Sequence, residues 1–172
     1  MRQLGKLKCI EVLASTPTDK TLILFHGFGA DAYDLQTLSD VIQTPWPCNW
    51  IFPQGILEVP IGPGWTGRAW WEIDMQAYQQ AAATGQAMDL SSVRPKNLDQ
   101  LRELVFGMIK DLKISWSDLI LGGFSQGAML ATDIYLNAPQ DPAGLIILSG
   151  ALINKPEWSQ LAPHRAGKKI FY

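Results

Sequence analysis

The sequence contains few of the residues that form disulfide frameworks. It has only two cysteines, Cys9 and Cys48, in 172 residues. Neither belongs to a CxxC pair or stands at a ligand-like spacing from one of the two histidines. We therefore expect two buried, reduced thiols instead of a disulfide, which is the usual state of cysteine in the cytoplasm.

Charge and long apolar runs are equally scarce. The formal net charge is −2, so the composition favours neither nucleic acid nor an anionic membrane as a partner. No apolar run approaches the roughly 18 residues of a membrane-spanning helix. The first 13 residues have no sustained apolar segment like that of a signal peptide, so we expect a cytoplasmic protein.

The sequence does contain apolar segments of strand and helix length in alternation. Apolar residues make up 47% of the chain and charged residues 17%, which is typical of one globular domain, here 1–172. Strands are predicted at 7–13, 21–26, 49–53, 118–124 and 143–150, and helices at 35–42, 92–113 and 126–136. Because these strands are apolar on both faces, we expect an α/β fold with a mostly parallel sheet and helices on both faces.

One segment has neither pattern. Residues 54–74, QGILEVPIGPGWTGRAWWEID, are rich in glycine, proline and tryptophan and too irregular for a helix. Long loops in compact domains often carry function. We interpret this segment as a long functional excursion.

A serine flanked by glycines gives the first indication of chemistry. The segment GFSQG (123–127) follows an apolar strand and opens a helix, as a nucleophile elbow does. Glycines without a Cβ allow the strand and the helix to approach closely around a strained serine. The pattern predicts Ser125 as a nucleophile, and the free N–H of Gln126 at the helix start would stabilise a developing oxyanion.

A second oxyanion donor is predicted on an earlier loop. The segment LFHGFGAD (24–31) is a glycine-rich turn that leaves the buried strand 21–26. The N–H of Phe28 would be the second donor. We interpret His26, in the same loop, as a residue that fixes the loop and not as a catalytic base.

The same loop admits another interpretation. The spacing Gly27-x-Gly29-x-x-Ala32 after a strand fits the dinucleotide-binding fingerprint. That site needs an acidic residue about 20 positions further on, at the end of the next strand. Residues 49–54 supply none. A nucleotide-binding α/β domain stays open as an alternative, although it leaves GFSQG unexplained.

Several segments of the chain share one resemblance: LFHGFGAD with the Asp34-Leu35 that follows, PxGxxE, GRAWWEID, GGFSQGAM and LSG. Together they resemble the phospholipase/carboxylesterase family. Its members are small cytosolic serine esterases with the α/β-hydrolase fold, and they include the acyl-protein thioesterases. The similarity extends from Thr21 to Tyr172.

The resemblance implies roles for particular residues. Ser125 would be the nucleophile, and the N–H groups of Phe28 and Gln126 would form the oxyanion hole. The tryptophan-bearing part of 54–74 would lie near an apolar acyl pocket, with Trp71 as the candidate pocket residue. The resemblance implies no metal and no cofactor.

The acid and base that such a nucleophile needs are not identifiable in the sequence. In the family they follow the serine in the order Asp and then His, each after a later strand. The residues available after the serine are Asp133, Asp141, Glu157 and His164. Asp133 is two turns along the helix, about 12 Å from its start. Because none of the four occupies an acid or base position, we interpret all of them as surface residues.

The last residues of the sequence suggest why no acid and base are identifiable. The segment GKKIFY (167–172) has the pattern of the start of another buried strand. A further βα unit, on the order of 40 residues, would be needed to hold the acid and base. We therefore expect the domain to be incomplete, with its C-terminal strands missing and the chain nearly inactive alone. A homodimer or a complementing chain would cover the unpaired edge.

The predicted function is that of a serine carboxylesterase, lysophospholipase or acyl-thioesterase acting through an acyl-serine intermediate. Its partner would be a small acyl ester or thioester with a small or medium acyl group. A catalytically dead α/β-hydrolase-fold binding module is the second alternative, beside the nucleotide-binding domain.

Overall fold

In the part of the chain that the structure describes, the apolar segments form nine strands, with helices between some of them. The computed structural model describes residues 1–85 and 88–172. Its strands are β1 (Arg2–Leu4), β2 (Leu7–Val12), β3 (Thr21–Phe25), β4 (Asn49–Pro53), β5 (Leu57–Gly62), β6 (Trp65–Ala69), β7 (Leu119–Phe124), β8 (Gly144–Leu148) and β9 (Ile170–Phe171). Its helices are α1 (Leu38–Val41), α2 (Met75–Thr84), α3 (Leu98–Leu112), α4 (Gln126–Asn137) and α5 (Lys155–Leu161). Two short 3₁₀ helices cover Trp116–Asp118 and Ala162–Arg165.

Seven of the strands form one sheet in the order β1-β2-β4-β3-β7-β8-β9. The five from β4 to β9 are parallel, whereas β1 and β2 form an antiparallel hairpin on the edge of β4. The register of β3 and β7 pairs Phe25 with Gly123. The loops that follow these two strands therefore leave the sheet side by side, which is where α/β sheets bind ligands.

Both faces of the sheet are covered. On β3, Ile23 and Phe25 point into a large core formed with α3, α4 and α5, while Leu22 and Leu24 point into a smaller core on the opposite face. The smaller core is closed by the segment around Ala32 and α1. The predicted α/β fold, with a mostly parallel sheet and helices on both faces, is confirmed. Cys9 and Cys48 are buried free thiols, as predicted.

The predicted excursion is wrong in one respect. Residues 54–74 contain a hairpin, in which β5 and β6 pair antiparallel with a shift of register between Pro60 and Gly62. Alternation is hard to recognise there because proline and glycine interrupt it. The short strand β1 was not predicted either.

Two predicted helices are shorter than expected. In 35–42 only α1 is helical. Just before this segment, the side chains of Asp31 and Asp34 accept backbone N–H groups, and such local bonds favour turns over a helix. In 92–113 the helix begins only at Leu98, so Pro95 lies before it. The chain before Pro95 pairs instead with the start of α5.

The last described strand was predicted as buried. Residues Ile170 and Phe171 do pair with β8 in parallel, but their side chains are 48% and 64% exposed. They are exposed because β9 is an edge strand that no other described element covers. Across 1–85 and 88–172, none of the helices has the length and apolar character needed to cross a membrane.

Candidate active site

Ser125 occupies a sharp corner between β7 and α4. Its backbone has φ 51° and ψ −115°, a conformation that costs free energy in a residue other than glycine. The N–H of Ser125 donates to the carbonyl oxygen of Leu148 at 2.8 Å, which continues the pairing of β7 with β8. Its carbonyl accepts from Ala128 and Met129 in the first turn of α4. The neighbouring strand and helix thus hold the strained corner in place.

The glycines on either side of the serine are required by close packing. A Cβ on Gly127 would overlap the carbonyl groups of Phe25 and His26 at the end of β3. A Cβ on Gly123 would overlap the backbone of Gly127. From the sequence, glycines are expected here because the strand and the helix approach closely, and the structure agrees: their backbones are in contact at both glycines.

The two predicted oxyanion donors lie on neighbouring segments: Phe28 is in the loop after β3, and Gln126 is the first residue of α4. A Cβ on Gly27 would come within 3.5 Å of the Cβ of Ser125, so the loop after β3 runs directly beside the serine. Neither the N–H of Phe28 nor that of Gln126 has an acceptor in the part of the chain that the structure describes. Two unpaired N–H groups near one hydroxyl are the arrangement that an oxyanion hole needs.

The β5–β6 hairpin holds this loop in place. The N–H of Gly29 donates to the carbonyl of Arg68, and the N–H of Arg68 donates to the carbonyl of Ala30, both at 2.8 Å. Gly67 faces Gly29 so closely that a Cβ on Gly67 would overlap it. Strand β6 therefore pairs with the loop that carries Phe28, and its backbone fixes the direction of that loop.

His26 is buried behind the loop and uses both ring nitrogens. Its Nε2 accepts the N–H of Gly55 at 2.9 Å, and its Nδ1 lies 2.7 Å from the carbonyl oxygen of Gly27. This pair of partners fits the neutral tautomer with the proton on Nδ1. Burial lowers the pKa of His26 below its ordinary value of 6.5. These contacts agree with the interpretation of His26 as a loop-fixing residue.

The burial of His26 predicts a pH dependence of stability. The folded protein protonates His26 less readily than the unfolded chain does, so the free energy of unfolding falls as pH decreases below about 6.5. The slope of this fall approaches about 1.4 kcal/mol per pH unit and disappears below the lowered pKa. Denaturant unfolding between pH 7.5 and 5 should show this, and His26→Gln should have a smaller slope. An identical slope in that variant would contradict the claim that His26 causes this pH dependence.

All four predicted site residues line one cavity. Ser125, Phe28, Gln126 and Trp71 contribute to a cavity of about 920 Å³. Its apolar wall includes Ile56, Leu90, Val93, Met129 and Ile153. Charged groups lie at other parts of its lining: Glu72, Asp74, Arg94 and Lys96. A cavity of this kind, apolar with a few polar groups, is the usual form of a small-molecule site.

The acid and base candidates after the serine are engaged elsewhere or exposed. Asp133 was interpreted as a surface residue, and this is wrong: it is fully buried and accepts from both Arg102 and Trp158. A sequence pattern cannot reveal this burial, because the partners come from α3 and α5. Asp141 is exposed and forms ion pairs with Arg165 and Lys168.

The remaining two candidates are Glu157, which is paired, and His164, which is exposed. Glu157 is half-buried and pairs with Arg102 and Arg94. His164 is exposed in the 3₁₀ helix Ala162–Arg165. Neither makes a contact with Ser125.

The geometry does not favour the dinucleotide alternative. Gly27 and Gly29 are followed by consecutive turns, and α1 begins only at Leu38. A pyrophosphate site of that type needs a helix N-terminus directly at the glycines. The loop instead pairs with β6.

The sequence did not indicate several side chains that support the site. The indole Nε1 of Trp70 donates to the carbonyl of His26, and the side chain of Asn97 donates to the carbonyl of Trp70. The side chain of Gln126 binds the backbone of Trp70 and Trp71. Their hydrogen-bond partners are more than 25 residues away in sequence, so the sequence does not reveal these bonds. It shows only that some of these polar residues lie next to predicted site segments.

Comparisons with known proteins place the chain among esterases and thioesterases by similarity. The chain is 26% identical over 149 residues to acyl-protein thioesterase 1 of Schizosaccharomyces pombe, a match that covers 86% of this chain and 63% of that enzyme. The chain therefore matches less than two thirds of the length of this curated relative.

Solved structures show the same fold. Esterase PE8 superposes with a TM-score of 0.68 at 23% identity, covering 90% of this chain and 68% of that one. Acyl-protein thioesterase 2 of Zea mays superposes with a TM-score of 0.58 at 20% identity, covering 91% and 67%. At these identities the likeness establishes the fold alone.

A family model gives the assignment. The model described as phospholipase/carboxylesterase matches residues 8–172, which is nearly the whole chain. The match includes the serine corner, the loop after β3 and the hairpin that holds it. This chain belongs to the phospholipase/carboxylesterase family.

Proposed function

We propose that this chain carries the nucleophile and the oxyanion hole of a serine hydrolase that cleaves carboxylic esters or thioesters. The observation that carries the proposal is the strained corner at Ser125, which opens into the same cavity as Phe28 and Trp71. The family relationship supports the proposal, and the names of the relatives, which include an esterase and acyl-protein thioesterases, agree with it.

The proposed reaction begins with attack by Ser125. Its Oγ atom bonds to the acyl carbon of the substrate while a general base accepts the hydroxyl proton. The negative charge that develops on the carbonyl oxygen is stabilised by the N–H groups of Phe28 and Gln126. The alcohol or thiol leaves with a proton, and water then releases the acid from the acyl-serine.

The cavity supports an apolar acyl group as the bound part of the substrate. Trp71 is 5% exposed and lines the same cavity as the serine, as does Met129 from α4. Burying an acyl chain there stabilises the complex by about 0.8 kcal/mol per CH₂ group. We propose small or medium acyl esters and thioesters as substrates, and the cytoplasm as the location of the protein.

The test is hydrolysis of a series of p-nitrophenyl esters, from acetyl to dodecanoyl, by the full-length protein. Turnover is expected across the series, with the highest kcat/KM for small or medium acyl chains. p-Nitrophenyl phosphate is the control and should not be hydrolysed, since the proposed chemistry is acyl transfer. Binding of the esters without any turnover would favour the catalytically dead binding module instead.

A further inference from the structure

We propose that the side chain of Gln126 is a positioning residue for this reaction, in addition to the oxyanion donor proposed for its backbone. Its carboxamide ties the chain after β6 to the serine corner and so sets the separation of the two oxyanion donors. This inference rests on the proposed function, because it concerns the same reaction.

The carboxamide of Gln126 is buried and uses both of its ends. The residue is 3% exposed. Its Oε1 accepts the backbone N–H of Trp70 at 2.9 Å, and its Nε2 donates to the carbonyl of Trp71 at 2.9 Å. These partners determine the orientation of the amide. If its oxygen and nitrogen were exchanged, the NH₂ group would face the N–H of Trp70 and the oxygen would face the carbonyl of Trp71, so neither bond could form.

The segment that the carboxamide holds is connected to the oxyanion loop. The indole of Trp70 donates to the carbonyl of His26 at 2.9 Å, and the two rings lie 5.2 Å apart. Strand β6, which ends at Ala69, pairs through Arg68 with Gly29. Movement of this segment would therefore move the loop that carries the N–H of Phe28.

The carboxamide thus connects two parts of the site that come from distant regions of the sequence. One is the first turn of α4, which carries the N–H of Gln126. The other is the loop after β3, which carries the N–H of Phe28. Loss of the bridge would leave a buried N–H and a buried C=O unpaired, so the segment would shift to satisfy them. A shift on the order of 1 Å between catalytic groups can lower kcat by about 10²-fold.

Replacement by glutamate tests the bridge because its effect depends on protonation. A protonated carboxyl offers one acceptor and one donor, as the carboxamide does, and can keep both bonds. An ionised carboxylate only accepts, so it loses the bond to the carbonyl of Trp71. We expect the kcat of Gln126→Glu relative to the wild type to be within about threefold at acid pH. At alkaline pH the ratio should fall to about one tenth to one hundredth.

Other titrating groups are common to both proteins. The ionisable groups around the bridge are His26 behind Trp70 and Glu72, Asp74, Arg94 and Lys96 on the cavity lining. The ratio of kcat values removes the titration that the two proteins share, and what it retains is the effect of the new carboxyl group, including its charge on these neighbours. A purely structural role would change the melting temperature with pH and leave the ratio of kcat values flat.

Two further variants complete the experiment. Gln126→Met cannot form either bond at any pH, so its kcat should be lowered by about 10- to 100-fold throughout, with little change in KM. Gln160→Glu places the same new charge on the exposed surface of α5 and should keep a ratio near one. For the variants that keep Ser125, each kcat is referred to the fraction of protein that a fluorophosphonate probe labels at completion, so unfolded protein does not contribute.

A flat ratio for Gln126→Glu over the pH range in which the new carboxyl ionises, as followed by its infrared absorption, would overturn the inference. So would a kcat for Gln126→Met within twofold of the wild type. If Gln126→Met does not fold, the pH dependence of Gln126→Glu decides alone. Ser125→Ala is assayed in parallel: a fully active Ser125→Ala would contradict the proposed function itself, whereas an inactive one together with a flat ratio contradicts only the role of the bridge.

Discussion

Ser125→Ala in the full-length protein is expected to lower kcat for ester hydrolysis by about 10⁶-fold. Without the hydroxyl no acyl-serine can form, and the remaining acceleration, roughly 10³-fold over water, comes from the oxyanion donors and substrate binding. KM should change little, because the hydroxyl contributes mainly to the transition state. Steady-state kinetics with p-nitrophenyl butyrate would measure both constants.

The loss should not come from unfolding. Among residues 1–85 and 88–172, the hydroxyl of Ser125 makes no hydrogen bond that caps α4, so alanine removes no capping bond. We expect its free energy of unfolding to stay within about 0.5 kcal/mol of the wild type. Ser149→Ala is the matched control, since Ser149 follows the neighbouring strand β8 and also has a positive φ of 53°. A wild-type kcat in Ser125→Ala would contradict the proposal that Ser125 is the nucleophile.

The second large effect concerns stability. Arg102→Ala is expected to destabilise the protein by about 3–5 kcal/mol, because it leaves the carboxylate of Asp133 buried without its cationic partner. The guanidinium of Arg102 binds both oxygens of Asp133, at 2.6 and 2.8 Å, and Asp133 is completely buried. The indole of Trp158 would remain as the neutral donor to this carboxylate.

This ion pair matters for the site because of where it lies. Asp133 is on α4, which begins directly after Ser125, while Arg102 is on α3 and Trp158 is on α5. The bonds therefore hold the helix of the nucleophile against its two neighbours. Denaturant unfolding would measure the loss for Arg102→Ala.

Two comparisons separate the buried charge from other causes. The double variant Arg102→Met with Asp133→Leu removes both charges and should be much more stable than Arg102→Ala. Arg2→Ala breaks an ion pair with Glu11 in which the arginine side chain is 61% exposed, so it should cost less than about 1 kcal/mol. An equal loss for Arg2→Ala and Arg102→Ala would contradict this account of the buried pair.

Much of the fold could be predicted because local pattern and tertiary environment agree. Strand β4 was predicted with its observed bounds, Asn49–Pro53, since its apolar residues are buried in the centre of the sheet. The helix after Ser125 was predicted to within one residue at its end. The helix in 35–42 is shorter than predicted, and just before it the side chains of Asp31 and Asp34 bind local N–H groups, a competition that hydrophobic spacing does not report.

The residues of the candidate site were predictable for a different reason. Close packing of backbone segments around Ser125 and around the loop of Phe28 requires glycine, and glycine motifs can be recognised in a sequence. The bridge of Gln126 and the burial of Asp133 were not predictable, because each depends on partners brought together from distant parts of the chain. Long-range polar contacts of this kind leave no periodic pattern.

The most direct test of the central claim is to locate the residue that reacts. The full-length protein is treated with a fluorophosphonate, digested and analysed by mass spectrometry. We predict one phosphonyl group, on the peptide that contains Ser125, with loss of esterase activity in proportion to labelling. Modification of another residue with Ser125 unlabelled, or unimpaired hydrolysis after complete labelling of Ser125, would contradict the claim that Ser125 is the nucleophile.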